Sequence, residues 1–110
     1  NAEHLTQAAQ KIKNAQRVVA FTGAGISVES GIPPFRGPDG LWTKYDPTFL
    51  DIRYFQAYPA EAWAQIKEIF YDYFGQARPN AAHIALAEME KGGLLAGVIT
   101  QNIDNLHQAA

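Results

Sequence analysis

Cysteine is missing from the 110 residues of this sequence. Disulfide bonds, cysteine-ligated zinc and a thiol nucleophile are therefore excluded within the chain. No apolar run approaches the roughly 18 residues of a membrane-spanning helix, and the polar stretch from Asn1 to Gln10 does not resemble a signal peptide. Nine basic and eleven acidic residues leave no excess of positive charge. We therefore expect no membrane partner and no direct nucleic-acid partner, and by default a cytoplasmic location.

The composition that remains is that of a globular protein. Hydrophobic residues make up 47% of the chain and aromatic residues 12%, which predicts a single domain with one core. The chain starts at Asn1 rather than at a methionine, and it ends at Ala110 soon after a predicted strand. These two features indicate a fragment of a longer polypeptide or a processed product.

Apolar residues at three- and four-residue intervals predict three amphipathic helices. The first covers residues 3–16, the second runs from Pro59 to near Gly75, and the third runs from an N-cap at Asn80 to Lys91. The apolar faces should pack inward, although the aromatic face of the second helix could instead line a groove. The predicted inward residues are Leu5, Ala8, Ala9, Ile12 and Ala15, then Trp63, Ile66, Phe70 and Tyr73, and finally Ala82, Leu86 and Met89.

Two short apolar runs, residues 17–22 and 94–100, predict β-strands. The first run is typical of a buried strand that enters a tight glycine turn. Strand, helices and strand in this order predict an α/β fold with a Rossmann-like parallel sheet and flanking helices. Polar residues follow both strands, at the carboxyl edge where such sheets bind ligands.

A long loop is predicted between Ser30 and Pro47, because glycine and proline are too frequent there for a regular element. Loops of this length in a compact domain usually bind something. In this loop the aromatic residue Phe35 is followed by the basic residue Arg36. Phe35 could cover a flat cationic ring while Arg36 pairs with phosphate. An ordinary surface loop is the alternative.

The residues after the two strands are candidates for nucleotide binding. Gly23-Ala24-Gly25-Ile26-Ser27 would let backbone amides approach a pyrophosphate, but the third glycine of the dinucleotide fingerprint is replaced by Val28. Thr100-Gln101-Asn102-Ile103-Asp104 offers amide and carboxylate groups for ribose hydroxyls and a carboxamide. The plainer alternatives are a glycine turn before a helix and strand-end capping, with Asp104 opening the next helix.

Taken together, these segments resemble the sirtuin family. The resemblance rests on 23–27, on Gly31-Ile32-Pro33 with Phe35-Arg36-Gly37, and on 100–107, which continues as Asn105-Leu106-His107. Asp39-Gly40-Leu41-Trp42 and Pro79-Asn80-Ala81-Ala82-His83 are similar to stretches of bacterial and archaeal members. The resemblance implies that residues 1–110 are the N-terminal part of a sirtuin catalytic core, with a cofactor loop at 31–58 and the zinc-binding small domain beyond the chain.

The resemblance also implies an activity. Sirtuins consume NAD to remove acyl groups from protein lysines, transfer the acyl group to ADP-ribose and release nicotinamide, which is both product and inhibitor. Residues 59–75 lack the Tyr-x-x-Arg pair of members that prefer acidic acyl groups, so acetyl-lysine proteins are the expected partners, although Lys67 could substitute for that pair. The alternatives are a sirtuin-like NADase or ADP-ribosyltransferase, a catalytically incomplete NAD-binding module, and an unrelated α/β domain.

The resemblance assigns most site residues to NAD. Asn102 would act in catalysis by orienting the ribose together with Gln101, and Ile103, Asp104 and Ile32 would form the nicotinamide pocket. Phe35 would shield the reacting ribose carbon. The remaining cofactor-binding residues, near the phosphates or in the cofactor loop, are Gly23, Ala24, Gly25, Ser27, Val28, Arg36 and Tyr45.

Several family features are expected outside these residues or differ within them. The general-base histidine and the four zinc-binding cysteines of sirtuins lie downstream of 100–107, so we assign no metal ligand in the chain and expect structural zinc only in the full-length protein. His83 and His107 are assigned structural roles, and His4 is expected to be solvated. Pro34 replaces the usual aspartate of the family, a change that we expect function to survive.

Overall fold

A computed structural model describes residues 1–110, the whole chain. Two strands, β1 (Val19–Thr22) and β2 (Gly97–Thr100), are accompanied by helices. The α-helices are α1 (Ala2–Asn14), α2 (Leu41–Lys44), α3 (Ile52–Ala57), α4 (Pro59–Ile66), α5 (Ala81–Lys91) and α6 (Leu106–Ala109). Ala24–Ser30, Pro47–Leu50 and Phe74–Gln76 are 3-10 helices, and Lys67–Tyr73 continues α4 as a π-helix.

The two strands form a parallel sheet. They pair in register from Val19 opposite Gly97 to Thr22 opposite Thr100. A further bond at the carboxyl end, from the backbone amide of Gln101 to the carbonyl of Thr22 (3.0 Å), keeps the chains together beyond the last strand residues. The predicted α/β fold with a parallel sheet is confirmed.

The prediction that the first strand is buried is wrong. Side chains alternate between the faces of a strand, so Val19 and Phe21 share one face of the sheet, and Ile99 is the strand neighbour of Phe21. Phe21 is 70% exposed, and Val19 and Ile99 are also exposed. The strand has the composition of a buried one, but no element of this chain covers that face.

The inward packing predicted for α1 is also wrong. No residue of this helix is buried, and Leu5 is 71% exposed. The helix is nevertheless well formed, because the Asn1 side chain accepts a hydrogen bond from the His4 amide (3.0 Å) at its first turn. Amphipathic spacing therefore predicted the helix correctly, but the surface that would cover its apolar face is not formed by these residues.

A single hydrophobic core lies between the long loop, the α4 region and α6. The loop and the following 3-10 turn contribute to it, and so do the π-helix and α6. Its buried members are Ile32, Leu41, Phe49, Ile69, Phe74 and Leu106.

The second predicted helix is formed, but its inward face differs from the prediction. Ile66 and Phe70 pack against the core as predicted, whereas Trp63 and Tyr73 are exposed. Ala62 and Ile69 are fully buried instead. Winding changes to a π-helix after Ile66, and this wider turn brings residues five apart to one side, so that Phe74 joins Ile69 in the core. Spacing at three and four residues cannot anticipate that change.

The third predicted helix begins as expected. Asn80 caps α5, because its side chain accepts from the Ala82 amide (2.9 Å) and its own amide donates to Nδ1 of His83 (3.1 Å). The inward residue of the first turn is His83, which is buried, whereas Ala82 is exposed. Leu86 and Met89 are half-buried.

The long loop is more ordered than predicted. Ser30 still belongs to a 3-10 helix, and Leu41–Lys44 forms a helical turn inside the region expected to be irregular. Backbone bonds from Leu41 to Pro34 (2.7 Å) and from Trp42 to Phe35 (3.0 Å) close the loop. This closure needs glycine at position 40, because an added Cβ would lie 2.6 Å from the carbonyl carbon of Arg36.

No helix of the chain is both long and apolar enough to cross a membrane. The cytoplasmic location stays a prediction.

Candidate functional site

The candidate site lies at the carboxyl edge of the sheet. Because β1 and β2 are parallel and in register, Thr22 and Thr100 end the two strands side by side. The Thr22 hydroxyl donates to the Thr100 hydroxyl across the edge (2.8 Å). The glycine turn after β1 and the segment Gln101–Asp104 after β2 therefore begin next to each other, as the sequence predicted.

The glycine turn leads directly into the 3-10 helix Ala24–Ser30. Gly23 is extended, with φ of −139°, and the amide of Ile26 returns to its carbonyl (3.2 Å). A Cβ on Gly23 would lie 3.1 Å from Nε2 of the Gln101 side chain, so a larger residue here would have to displace the end of that side chain. The first amides of a helix have no acceptor within it, so Ala24 and Gly25 present N–H groups at this edge.

Asn102 is fixed at two points. Its backbone amide donates to the Thr100 hydroxyl (3.1 Å), and its Nδ2 donates to the Gly23 carbonyl (2.9 Å). A longer contact joins Nδ2 to Ser27 Oγ (3.4 Å). Because Nδ2 faces these acceptors, the side-chain oxygen Oδ1 points the other way and is available to accept from a ligand.

Ser27 joins the two strand ends through Asp104. The buried Ser27 hydroxyl donates to Oδ2 of Asp104 (2.6 Å), and Oδ1 of Asp104 accepts from the Leu106 amide (3.0 Å). The carboxylate therefore supports the start of α6 and also faces the site, so the capping alternative and the binding hypothesis are compatible.

His83 contacts Ser27 as a neutral imidazole, in which one ring nitrogen accepts a hydrogen bond and the other carries the proton. Nδ1 accepts from the Asn80 amide, so the ring proton lies on Nε2, which faces Ser27 Oγ at 3.4 Å. Burial lowers the pKa of His83 below its ordinary value of 6.5, and the nearby His107 lowers it further, whereas Asp104 acts in the opposite direction. The structural role predicted for this histidine is therefore a cap that also contacts the site.

This lowered pKa predicts that acid destabilises the protein. The unfolded chain binds a proton at His83 as the pH falls below 6.5, and the folded chain resists that proton, so the stabilising contribution of neutral His83 is present above 6.5 and lost below it. We expect the free energy of urea-induced unfolding to fall between pH 7.5 and pH 5.5, and to fall less in His83→Gln. His4→Gln, a change at an exposed histidine, should keep the wild-type dependence; equal pH dependence in both variants would contradict the assignment.

A cavity opens between the glycine turn, the loop and the end of β2. Eight of the predicted site residues line it together: Ala24, Ser27, Ile32, Phe35, Gln101, Asn102, Ile103 and Asp104. Pro33 and Phe74 complete the wall. Phe35 is held over this side by stacking on Trp42, with ring centroids 5.5 Å apart. The wall of the cavity thus combines polar and apolar side chains.

The other predicted site residues do not line this cavity. Gly23 contacts it through its bond to Asn102, and Arg36 is exposed without an ion pair. Val28 and Tyr45 line a separate groove along the loop. Partial burial and a hydrogen bond to Glu68 (3.1 Å) raise the pKa of Tyr45 and tie the loop to the π-helix.

Sequence analysis did not identify the support behind the site. Two of the supporting residues contact site residues directly: Thr100 accepts from the Asn102 amide, and His83 contacts Ser27. Thr22 bonds to Thr100, and His107 bonds to Thr22. The two histidines were noted only as structural, and polar residues at two adjacent strand ends were the one signal that could have indicated the threonines. No group of three potential metal ligands occurs in the chain.

Comparison with known proteins gives one consistent family. The Sir2 family model matches residues 23–110. The NAD-dependent protein deacetylase of Sulfolobus acidocaldarius is 49% identical over 112 residues, covering 98% of this chain and 42% of that protein. The corresponding enzyme of Caldivirga maquilingensis is 53% identical over 104 residues, covering 94% and 40%. NAD-dependent protein deacylase 2 of Archaeoglobus fulgidus is 49% identical over 109 residues, covering 98% and 42%.

Solved structures agree with the sequence relatives. A Sir2 protein with deacetylated p53 peptide and 3'-O-acetyl ADP-ribose superposes with a TM-score of 0.86 at 44% identity, over 94% of this chain and 42% of that one. Sir2 bound to acetylated peptide superposes with a TM-score of 0.80 at 40% identity, over 96% and 40%. The chain spans about 42% of the length of the curated relative from Sulfolobus acidocaldarius.

Proposed function

Because this chain belongs to the Sir2 family, we propose that it forms the NAD-binding part of an NAD-dependent protein lysine deacylase. Residues 1–110 would be the N-terminal part of the Rossmann-like catalytic core, with the cofactor loop at 31–58. The observation that carries this proposal is the convergence of Ser27, Asn102 and Asp104 with Phe35 around one cavity at the carboxyl edge of a parallel sheet. NAD supplies the bond between nicotinamide and ribose, whose cleavage makes the ribose carbon electrophilic.

The polar side chains that line the cavity suit the nicotinamide ribose. Asn102 is locked through its backbone amide and Nδ2, so Oδ1 would accept from a ribose hydroxyl without losing side-chain freedom on binding. Gln101 lies next to it in the cavity wall. A fixed acceptor of this kind orients the ribose for attack by the acyl oxygen, which is the catalytic role proposed for Asn102.

The apolar side chains that line the cavity suit the nicotinamide ring. Ile32 is buried, and Ile103 and Asp104 lie beside it in the wall. A carboxylate can accept from the carboxamide NH₂, and Ser27 holds the Asp104 oxygen in place for that contact. Phe35 would cover the ribose carbon and exclude water once nicotinamide has left.

Phosphate recognition is proposed for the mouth of the site. The N–H groups of Ala24 and Gly25 at the turn suit a pyrophosphate, with Ser27 and Val28 following on the same helix. Arg36 is exposed and free of ion pairs, so its guanidinium could pair with phosphate at little cost. Tyr45 would anchor the cofactor loop through Glu68.

We propose acetyl-lysine proteins as substrates and nicotinamide as product and inhibitor. Support comes from Sir2 structures with acetylated peptide and with acetylated ADP-ribose. Lys67, the one candidate for binding an acidic acyl group, is paired with Asp72 (3.0 Å) on the surface. That pairing favours an uncharged acyl group. The general-base histidine and structural zinc are proposed for the full-length protein outside these residues.

Nicotinamide release from NAD by the full-length protein that contains this chain tests the proposal. Release should depend on an acetyl-lysine peptide and should be much slower with the unmodified peptide, because the acyl oxygen is the attacking group. Equal release without peptide would favour an NADase. NAD binding without release would leave a catalytically incomplete binding module.

A further inference from the structure

A chain of hydrogen bonds runs from α6 to the backbone of Asn102. His107 Nε2 lies 2.8 Å from Thr22 Oγ1, and Thr22 Oγ1 lies 2.8 Å from Thr100 Oγ1. Thr100 Oγ1 in turn accepts from the Asn102 amide (3.1 Å). All four residues are half-buried, and they join a helix to both strand ends.

The direction of each bond follows from the number of protons. A threonine hydroxyl has one hydrogen, and that of Thr22 is donated to Thr100. With the Thr22 hydrogen directed at Thr100, the contact between Thr22 and His107 uses the Nε2–H tautomer of the imidazole as donor. Thr100 Oγ1 then accepts twice, from Thr22 and from the Asn102 amide, so its position is fixed from both sides.

The imidazole that begins this chain is itself braced. Its ring meets the ring of His83 edge to face, with centroids 5.0 Å apart and an angle of 66°. The preceding residue, Leu106, is buried in the core. His107 thus has little freedom to move away from Thr22, and it transmits the position of α6 to the sheet edge.

We infer that His107 is a positioning residue for Asn102, acting through Thr22 and Thr100. This inference rests on the proposed function, in which Asn102 holds the ribose. His107 would touch neither NAD nor the acyl group. Its Nε2–H orients the Thr22 hydroxyl toward Thr100, and the doubly engaged Thr100 oxygen holds the Asn102 backbone at the distance that the ribose requires.

Kinetics of the full-length protein test the inference. His107→Leu should lower kcat for peptide-dependent nicotinamide release about tenfold, as loss of an outer supporting bond does, with the KM for NAD changed less than about twofold. His107→Gln, which keeps an N–H donor, should recover most of the rate. His4→Leu, the same change at an exposed helix histidine, should leave kcat unchanged. Equal kcat in His107→Leu and the wild type would overturn the inference.

A double-variant cycle separates the relay from general destabilisation. Thr22→Val replaces the hydroxyl with a methyl group of similar size and should lower kcat about as much as His107→Leu. Because both changes break the same chain, the double variant should lose no more than either single variant. Multiplied losses would mean that the two residues act independently and would overturn the relay.

Amide hydrogen exchange provides a reading that does not depend on activity. The Asn102 amide, which donates to Thr100, should exchange about tenfold faster in His107→Leu and Thr22→Val, while amides of the paired strands change little. Unchanged exchange at Asn102 would overturn the inference. If the wild type releases no nicotinamide, the proposed function fails, and exchange still decides whether His107 positions Asn102.

Discussion

Asn102→Ala in the full-length protein is expected to lower kcat for peptide-dependent nicotinamide release by roughly 100-fold, the usual loss when a group that orients the reacting centre is removed. The affinity for NAD should change far less. Asn102 Oδ1 is an acceptor held rigidly at this edge, because the Asn102 amide donates to Thr100 and Nδ2 donates to Gly23. Alanine removes that acceptor and leaves the phosphate and nicotinamide contacts in place. Steady-state kinetics and calorimetric titration with NAD measure the two quantities.

Asn14→Ala is the matched control for this variant, because Asn14 is exposed at the end of α1 and touches no site residue. It should behave as the wild type. The role of Asn102 would be refuted if Asn102→Ala weakened NAD binding and left kcat unchanged, since the residue would then contribute only uniform binding. Wild-type turnover would refute it equally.

Asp104→Asn should slow nicotinamide exchange by roughly 30-fold, the range expected when a hydrogen bond to a charged group is lost. ADP-ribose binding should stay near the wild-type level, because the proposed contact is to the carboxamide that ADP-ribose lacks. Asparagine keeps an oxygen for the Leu106 amide, so α6 should still begin normally. Exchange of labelled nicotinamide into NAD, measured with acetylated peptide present, gives the rate.

The control for this variant is Asp51→Asn. Asp51 caps α3 through the Arg53 amide, and asparagine caps helices equally well, so neither exchange nor folding should change. Normal nicotinamide exchange in Asp104→Asn would count against the carboxamide contact. A parallel loss of ADP-ribose binding would instead indicate that Asp104 supports the whole site through Ser27.

The parts of the fold that were predicted from sequence are those with local signals. The glycine turn after β1, the Asn80 cap and the polar segment after β2 each depend on residues a few positions apart. Parallel pairing then followed from the strand, helix and strand order, and it places Asn102 and Asp104 beside Ser27. The candidate site was predictable for that reason.

The contacts that support the site could not be predicted in the same way. Ser27 and His83 are 56 positions apart, and Thr22 and His107 are 85 apart, so no spacing rule connects them. Burial failed for a related reason. Amphipathic spacing identified the apolar face of α1, and a short apolar run identified β1. Neither pattern carries information on which surface covers these residues, and within this chain Leu5 and Phe21 remain exposed.

The most direct test of the central claim is a structure of the full-length protein with ADP-ribose bound. The account predicts that the ribose nearest the reacting end lies within hydrogen-bond distance of Asn102 Oδ1, with Phe35 above it and the pyrophosphate at the amides of Ala24 and Gly25. Nicotinamide soaked into the same crystals should lie between Ile32 and Asp104. A bound ADP-ribose that leaves this cavity empty would contradict the account.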